Sequence, residues 1–107
     1  EGLSLEVEER ERLIADLGIH KSMILRHHGL LTAGVNVGEA FALMYHLEKA
    51  CQTQMMVLAS NQKYTIPSPE LCERTASQFF RNSRVLGQRD WAALRKQADD
   101  LYPSYCN

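Results

Sequence analysis

Two adjacent histidines followed by glycine, His27-His28-Gly29, are the residues of this chain best suited to chemistry. An imidazole can bind a borderline-soft metal ion or move a proton near neutral pH, and a following glycine lets the backbone turn or approach a ligand closely. The pair lies in the stretch Met23 to Gly34, MILRHHGLLTAG, between two short apolar runs. If Ser22 to Arg26 is a strand that continues through the pair, side chains alternate. Ile24, Arg26 and His28 then share one face and Met23, Leu25 and His27 the other, so the two histidines do not ligate one ion together. Taken alone, a histidine beside glycine reads first as a hydrogen-bonded structural residue.

The elements around this stretch must position it. Ser4 can cap a first helix from Leu5 to Leu17, with Glu6, Glu8 and Glu9 in its early turns and Gly18 at its end. Leu13, Ile14 and Leu17 form its apolar stripe. Glu6/Arg10 and Glu8/Arg12 are spaced to pair, and the charge run from Glu8 to Arg12 reads as a solvated face. The runs Ser22–Arg26 and Leu30–Ala33 read as two neighbouring strands or one interrupted strand, which periodicity does not separate. Gly34 and Asn36 supply a turn and a cap. Val37, Ala40, Phe41, Met44, Leu47, Cys51, Met55 and Leu58 then recur at three- and four-residue intervals, which predicts a long amphipathic helix from Val37 to Ala59. Its methionines read as core or oligomer contacts, and His46 as a surface or interface residue.

A polar linker, Asn61 to Pro67, leads to Ser68-Pro69-Glu70, a cap, a first-turn proline and a carboxylate that open a third helix. That helix carries Leu71, Cys72, Thr75, Ala76, Phe79 and Phe80. A last helix, Gln88 to Leu101, turns Trp91, Leu94, Ala98 and Leu101 inward and is stopped by Pro103, leaving a tail to Asn107.

At 107 residues there is room for one modest core, and a net charge of −1 gives no electrostatic reason to bind nucleic acid or an anionic membrane. No apolar run reaches the ~18 residues of a membrane span. Three cysteines without a CxxC pair fit a reducing, cytoplasmic setting; Cys51 and Cys72 read as small core hydrophobes and Cys106 as exposed. One or two strands do not make a stable sheet. They must therefore pair with chain outside this stretch or between subunits, and a chain that opens at Glu1 straight into a charged helix reads as a piece of something longer.

The ordered series Ile24-Leu25-Arg26-His27-His28-Gly29-Leu30-Leu31, Gly34, Glu39-Ala40-Phe41, Leu47-Glu48, Ala50-Cys51-x-x-Gln54 and Leu58-Ala59 resembles the C-terminal part of the class II aldolase and adducin head-domain family. The ending, Trp91-Ala92-Ala93-Leu94-Arg95 and then Pro103-Ser104-Tyr105, is similar to the tails of short bacterial members. The resemblance implies an α/β fold, the C-terminal part of an α/β/α sandwich, present here as mostly helices with one or two strands. It makes residues 1–107 a single partial domain of a zinc-dependent lyase of the class II aldolase type. Such an enzyme acts on a small hydroxylated carbonyl substrate by aldol cleavage, epimerisation, dehydration or decarboxylation.

By the same resemblance His28 is one of three histidine ligands to zinc, and the assembly is a homo-oligomer, usually a tetramer, with active sites between subunits. The family's other ligands come from an HxH pair, and its base is a glutamate, both in the N-terminal part of the domain. This sequence has no HxH; His20 and His46 stand alone, and Glu39 and Glu48 sit in the helix motif. His27 replaces the family's asparagine. One histidine does not make a tight zinc site, so the chain by itself is expected to be inactive. The alternative is a non-catalytic, adducin-like oligomerisation and interaction module, which Arg26 and the Ala50-Cys51-x-x-Gln54 helix resemble.

Overall fold

A computed structural model of the chain describes residues 7–79 and 85–106. In order they form α1 (Val7–Leu17), β1 (Ser22–Leu25), β2 (Gly29–Thr32), α2 (Val37–Ala59), α3 (Pro69–Phe79), α4 (Asp90–Leu101) and a final 3-10 turn, Pro103–Cys106. The two strands are neighbours, antiparallel, with Met23 opposite Leu31 and Ile24 opposite Leu30. The choice that periodicity left open therefore resolves as a hairpin.

Local chemistry accounts for most element ends. Gly18, at φ 54°, closes α1 and donates its N–H to the Ile14 carbonyl at 3.0 Å. Asn36 caps α2 by accepting the Glu39 N–H at 2.9 Å, and α2 runs over the whole predicted span. Ser68 Oγ accepts the Leu71 N–H at 3.3 Å at the head of α3, with Pro69 in its first position. The Ser4 cap, the ion pairs through Glu6 and Glu8, Phe80 and the Cys106 thiol fall outside what is described.

Three expectations are corrected. β1 stops at Leu25, so Arg26, His27 and His28 belong to a turn, and the strand alternation that separated the two histidines does not apply. α4 begins at Asp90 and not Gln88, because residues 86–89 form a turn through Gly87. Cys72 is exposed, while Cys51 is half-buried.

Packing departs furthest from expectation. Among the described residues no hydrophobic side chain is fully buried; Met44, Leu47, Trp91 and Leu94 are half-covered, while Phe41, Met55, Leu58, Leu71 and Leu101 stay open. The chain exposes 9553 Å², against about 6,100 Å² for a compact monomer of its mass. Its radius of gyration is 17.0 Å, against about 13 Å for a compact domain of this length. The helices present open apolar faces among the described residues.

Candidate functional site

The site is a hairpin whose two feet are clipped to one carboxylate. Glu39, in the first turn of α2, is 1% exposed and is the only fully buried side chain among the described residues. Its Oε1 accepts from Lys21 Nζ at 2.5 Å, and its Oε2 from the Val35 N–H at 2.8 Å. Lys21 stands immediately before β1 and Val35 follows β2, so one carboxylate joins both ends of the hairpin to the helix. Thr32 Oγ1 adds a hydrogen bond to the Ala40 carbonyl at 2.9 Å. The Lys21 ammonium, and then the Val35 N–H, hold the Glu39 carboxyl below the ordinary 4.5, against the upward push of burial.

The far end of the hairpin is the histidine turn. The His28 N–H donates to the Leu25 carbonyl at 3.2 Å, closing a four-residue turn whose third residue, His27, has φ 59°. That left-handed position favours glycine or asparagine. The asparagine that the resemblance implies at this position would take such a backbone readily, and His27 occupies it at some strain. His27→Asn is expected to stabilise the hairpin by about 0.5 kcal/mol, read as a higher urea midpoint with an unchanged slope.

Gly29 follows at φ 147°, a conformation that side chains rarely adopt. His28 is thus held between two unusual backbone residues at an exposed tip, and its ring has no hydrogen-bond, ion-pair or ring partner among the described residues. No group of three His, Cys, Asp or Glu side chains able to hold a metal exists among the described residues. The donor set therefore does not fit a complete zinc site: it offers His28 and nothing to complete the coordination.

His46 takes no part in this turn. It lies on α2 with its ring edge-on to Tyr45 and to Phe79 of α3, 5.6 Å from each, an aromatic contact between helices. Glu39 is the residue whose importance motif reading understated. The signal was present in Asn36-x-x-Glu39, a cap followed three residues later by glutamate.

The sequence and fold of the chain are similar to those of known proteins. The model of the class II aldolase and adducin N-terminal domain matches residues 3–55. A crystal structure of an aldolase II superfamily protein from Pseudomonas syringae superposes with a TM-score of 0.75 at 35% identity, covering 100% of this chain and 43% of that one. A Caulobacter vibrioides protein whose name places it provisionally with the class 2 aldolases is 33% identical over 100% of this chain and 42% of its own length. An adducin-related protein of Schizosaccharomyces pombe is 30% identical over 97% of this chain and 34% of its own.

The chain belongs to the class II aldolase and adducin family. It spans well under half the length of these relatives, and its helices and two-stranded sheet take the aldolase II superfamily fold over that part. No helix of the described residues is long and apolar enough to cross a membrane.

Proposed function

We propose that this chain is the histidine-bearing part of a zinc-dependent enzyme of the class II aldolase type, acting on a small hydroxylated carbonyl compound and assembled as a homo-oligomer in the cytoplasm. The observation that carries the proposal is His28, unpartnered at the tip of a turn whose two feet are fixed by one buried carboxylate. A solvent-facing imidazole held this firmly suits a ligand position better than a packing role. Were zinc bound, it would supply Lewis acidity toward a substrate oxygen. This chain's own contribution is to hold one nitrogen, and residues outside residues 1–107 must supply the other ligands and the base. The 107-residue chain alone is therefore read as inactive, and as one partial domain.

The test is zinc per chain, on the 107-residue chain and on a longer protein that includes the part its relatives have in addition. The longer protein is expected to hold about one zinc per chain and to lose it on His28→Ala, with helical content unchanged. A longer protein that remains metal-free, or one whose zinc survives His28→Ala, overturns the reading.

The second reading is a non-catalytic interaction module of the adducin type. It is favoured by the adducin-related match and by the extent of open apolar surface on α2, α3 and α4. A metal-free longer protein that still assembles into a defined oligomer is its expected signature.

A further inference from the structure

The C-terminal helix carries a cation on a side that is otherwise apolar. Trp91, Arg95, Ala98 and Tyr102 follow one another at intervals of four, three and four residues, so they lie along one side of α4 and its C-cap. That side lines a groove of about 590 Å³ between α4, the Pro103–Cys106 turn and Phe41 of α2, within the roughly 300–1,000 Å³ of small-molecule sites. Phe41, Trp91, Tyr102 and Tyr105 give the groove four aromatic rings, and no acidic residue lines it among the described residues.

Arg95 is the charged residue of this lining. It is exposed and makes no hydrogen bond, ion pair or ring contact among the described residues. The carboxylates that its helix could offer are committed elsewhere. Asp99 stands four positions on, the spacing of a helical ion pair, but accepts the Tyr105 hydroxyl at 2.6 Å. Asp100 is paired with Lys96 at 2.8 Å. The Tyr105 hydrogen bond thus has two effects: it fastens the final turn as a wall of the groove, and it occupies the acid best spaced for Arg95.

The occupant must satisfy both the rings and the guanidinium. A purely apolar one would strip water from Arg95 and return no partner, which is unfavourable. A small polyhydroxylated molecule would leave the aromatic walls unused. A planar aromatic carboxylate meets both needs: its ring packs offset or edge-on against the aromatic side chains, and its two oxygens accept the parallel N–H groups of one guanidinium.

We propose that the groove between α4, the Pro103–Cys106 turn and Phe41 is a binding site for a planar aromatic carboxylate, with Arg95 as its anion anchor. None of these residues belongs to the histidine turn, so the site does not depend on zinc.

The probes are naphthoate and its neutral counterpart naphthamide, titrated by calorimetry into the longer protein of the zinc measurement. Saturable binding of naphthoate is expected, about 10- to 100-fold tighter than that of naphthamide. Arg95→Gln should remove that advantage and leave naphthamide binding and helical content unchanged, because the residue is exposed. Arg95→Lys keeps the charge without the fork and should fall between the two. His28→Ala should bind naphthoate as the parent does. The proposal is overturned by any of four results. No binding of naphthoate would show the groove closed by protein. Equal affinity for the two probes would make it an apolar groove alone. Affinity kept in Arg95→Gln, or lost in His28→Ala, would put the ligand elsewhere. Affinity that falls as protein concentration rises would mark a second copy in the groove.

Discussion

Gly87→Ala is expected to release α4 from α2, at a cost of about 2–4 kcal/mol. Gly87 adopts φ 73°, and a methyl group there would lie 2.3 Å from the Gly38 carbonyl oxygen and 2.9 Å from the Ala42 Cβ. Both atoms belong to the first turns of α2, so neither can move without shifting the helix start that Glu39 fixes. The close approach is also what brings Trp91 of α4 against Phe41, with ring centroids 5.9 Å apart. Trp91 is the only tryptophan in the chain, so its fluorescence reports this contact directly. A red-shifted emission in Gly87→Ala, with far-ultraviolet helicity largely kept, is the expected result; an emission unchanged from the parent would show that α4 is not seated through Gly87.

The second large effect is expected at Glu39. Glu39→Ala removes the acceptor for both the Lys21 ammonium and the Val35 N–H, and should cost about 2–3 kcal/mol. Lys21 is 43% exposed on its side chain and can recover water, so the loss falls mainly on the Val35 N–H left without its acceptor and on the space the side chain vacates. The same carboxylate sets an acid limit. Its value is lowered in the folded chain, so the unfolded chain binds the proton more readily. The stability it contributes is complete above the ordinary 4.5 and disappears as pH falls through the lower folded value. A urea midpoint that declines on acidification in the parent, and declines less steeply in Glu39→Gln, is the expected outcome. Parallel pH profiles for the two proteins would remove Glu39 from this role.

What could be read from the sequence divides along a physical line. Signals contained within a few residues were legible: Asn36 before α2, Ser68-Pro69 before α3 and the three- and four-residue spacing from Val37 to Ala59 all gave the observed elements. The His28-Gly29 step was singled out through its resemblance to a family, and the structure places it at the exposed tip of the hairpin. The turn itself was not legible, because most non-glycine residues avoid φ 59° and nothing local announces that His27 accepts this conformation. Glu39 appeared as one letter of a helix motif, since its ionic partner Lys21 lies 18 positions away, across both strands, and only the Val35 N–H is local.

The apolar faces were recognised as faces, but periodicity says only that a side wants covering. It does not say what provides the cover, and Met55, Met56 and Leu71 stay exposed among the described residues. The proposed metal role divides the same way: a single candidate imidazole is a local feature, whereas a coordination shell is a long-range property.

The clip at Glu39 also bears on the order of folding. Its contacts reach no further along the chain than the 18 positions between Lys21 and Glu39, and the hairpin it fastens has a three-residue loop. Loops of that size close in tens of nanoseconds and hairpins form in about 1–10 μs. By contrast, seating Trp91 on Phe41 closes a loop of some fifty residues and comes later, because chain entropy must be overcome first. The imidazole-bearing turn is therefore an early structure during synthesis, shaped before the C-terminal helix docks and before any metal could organise it.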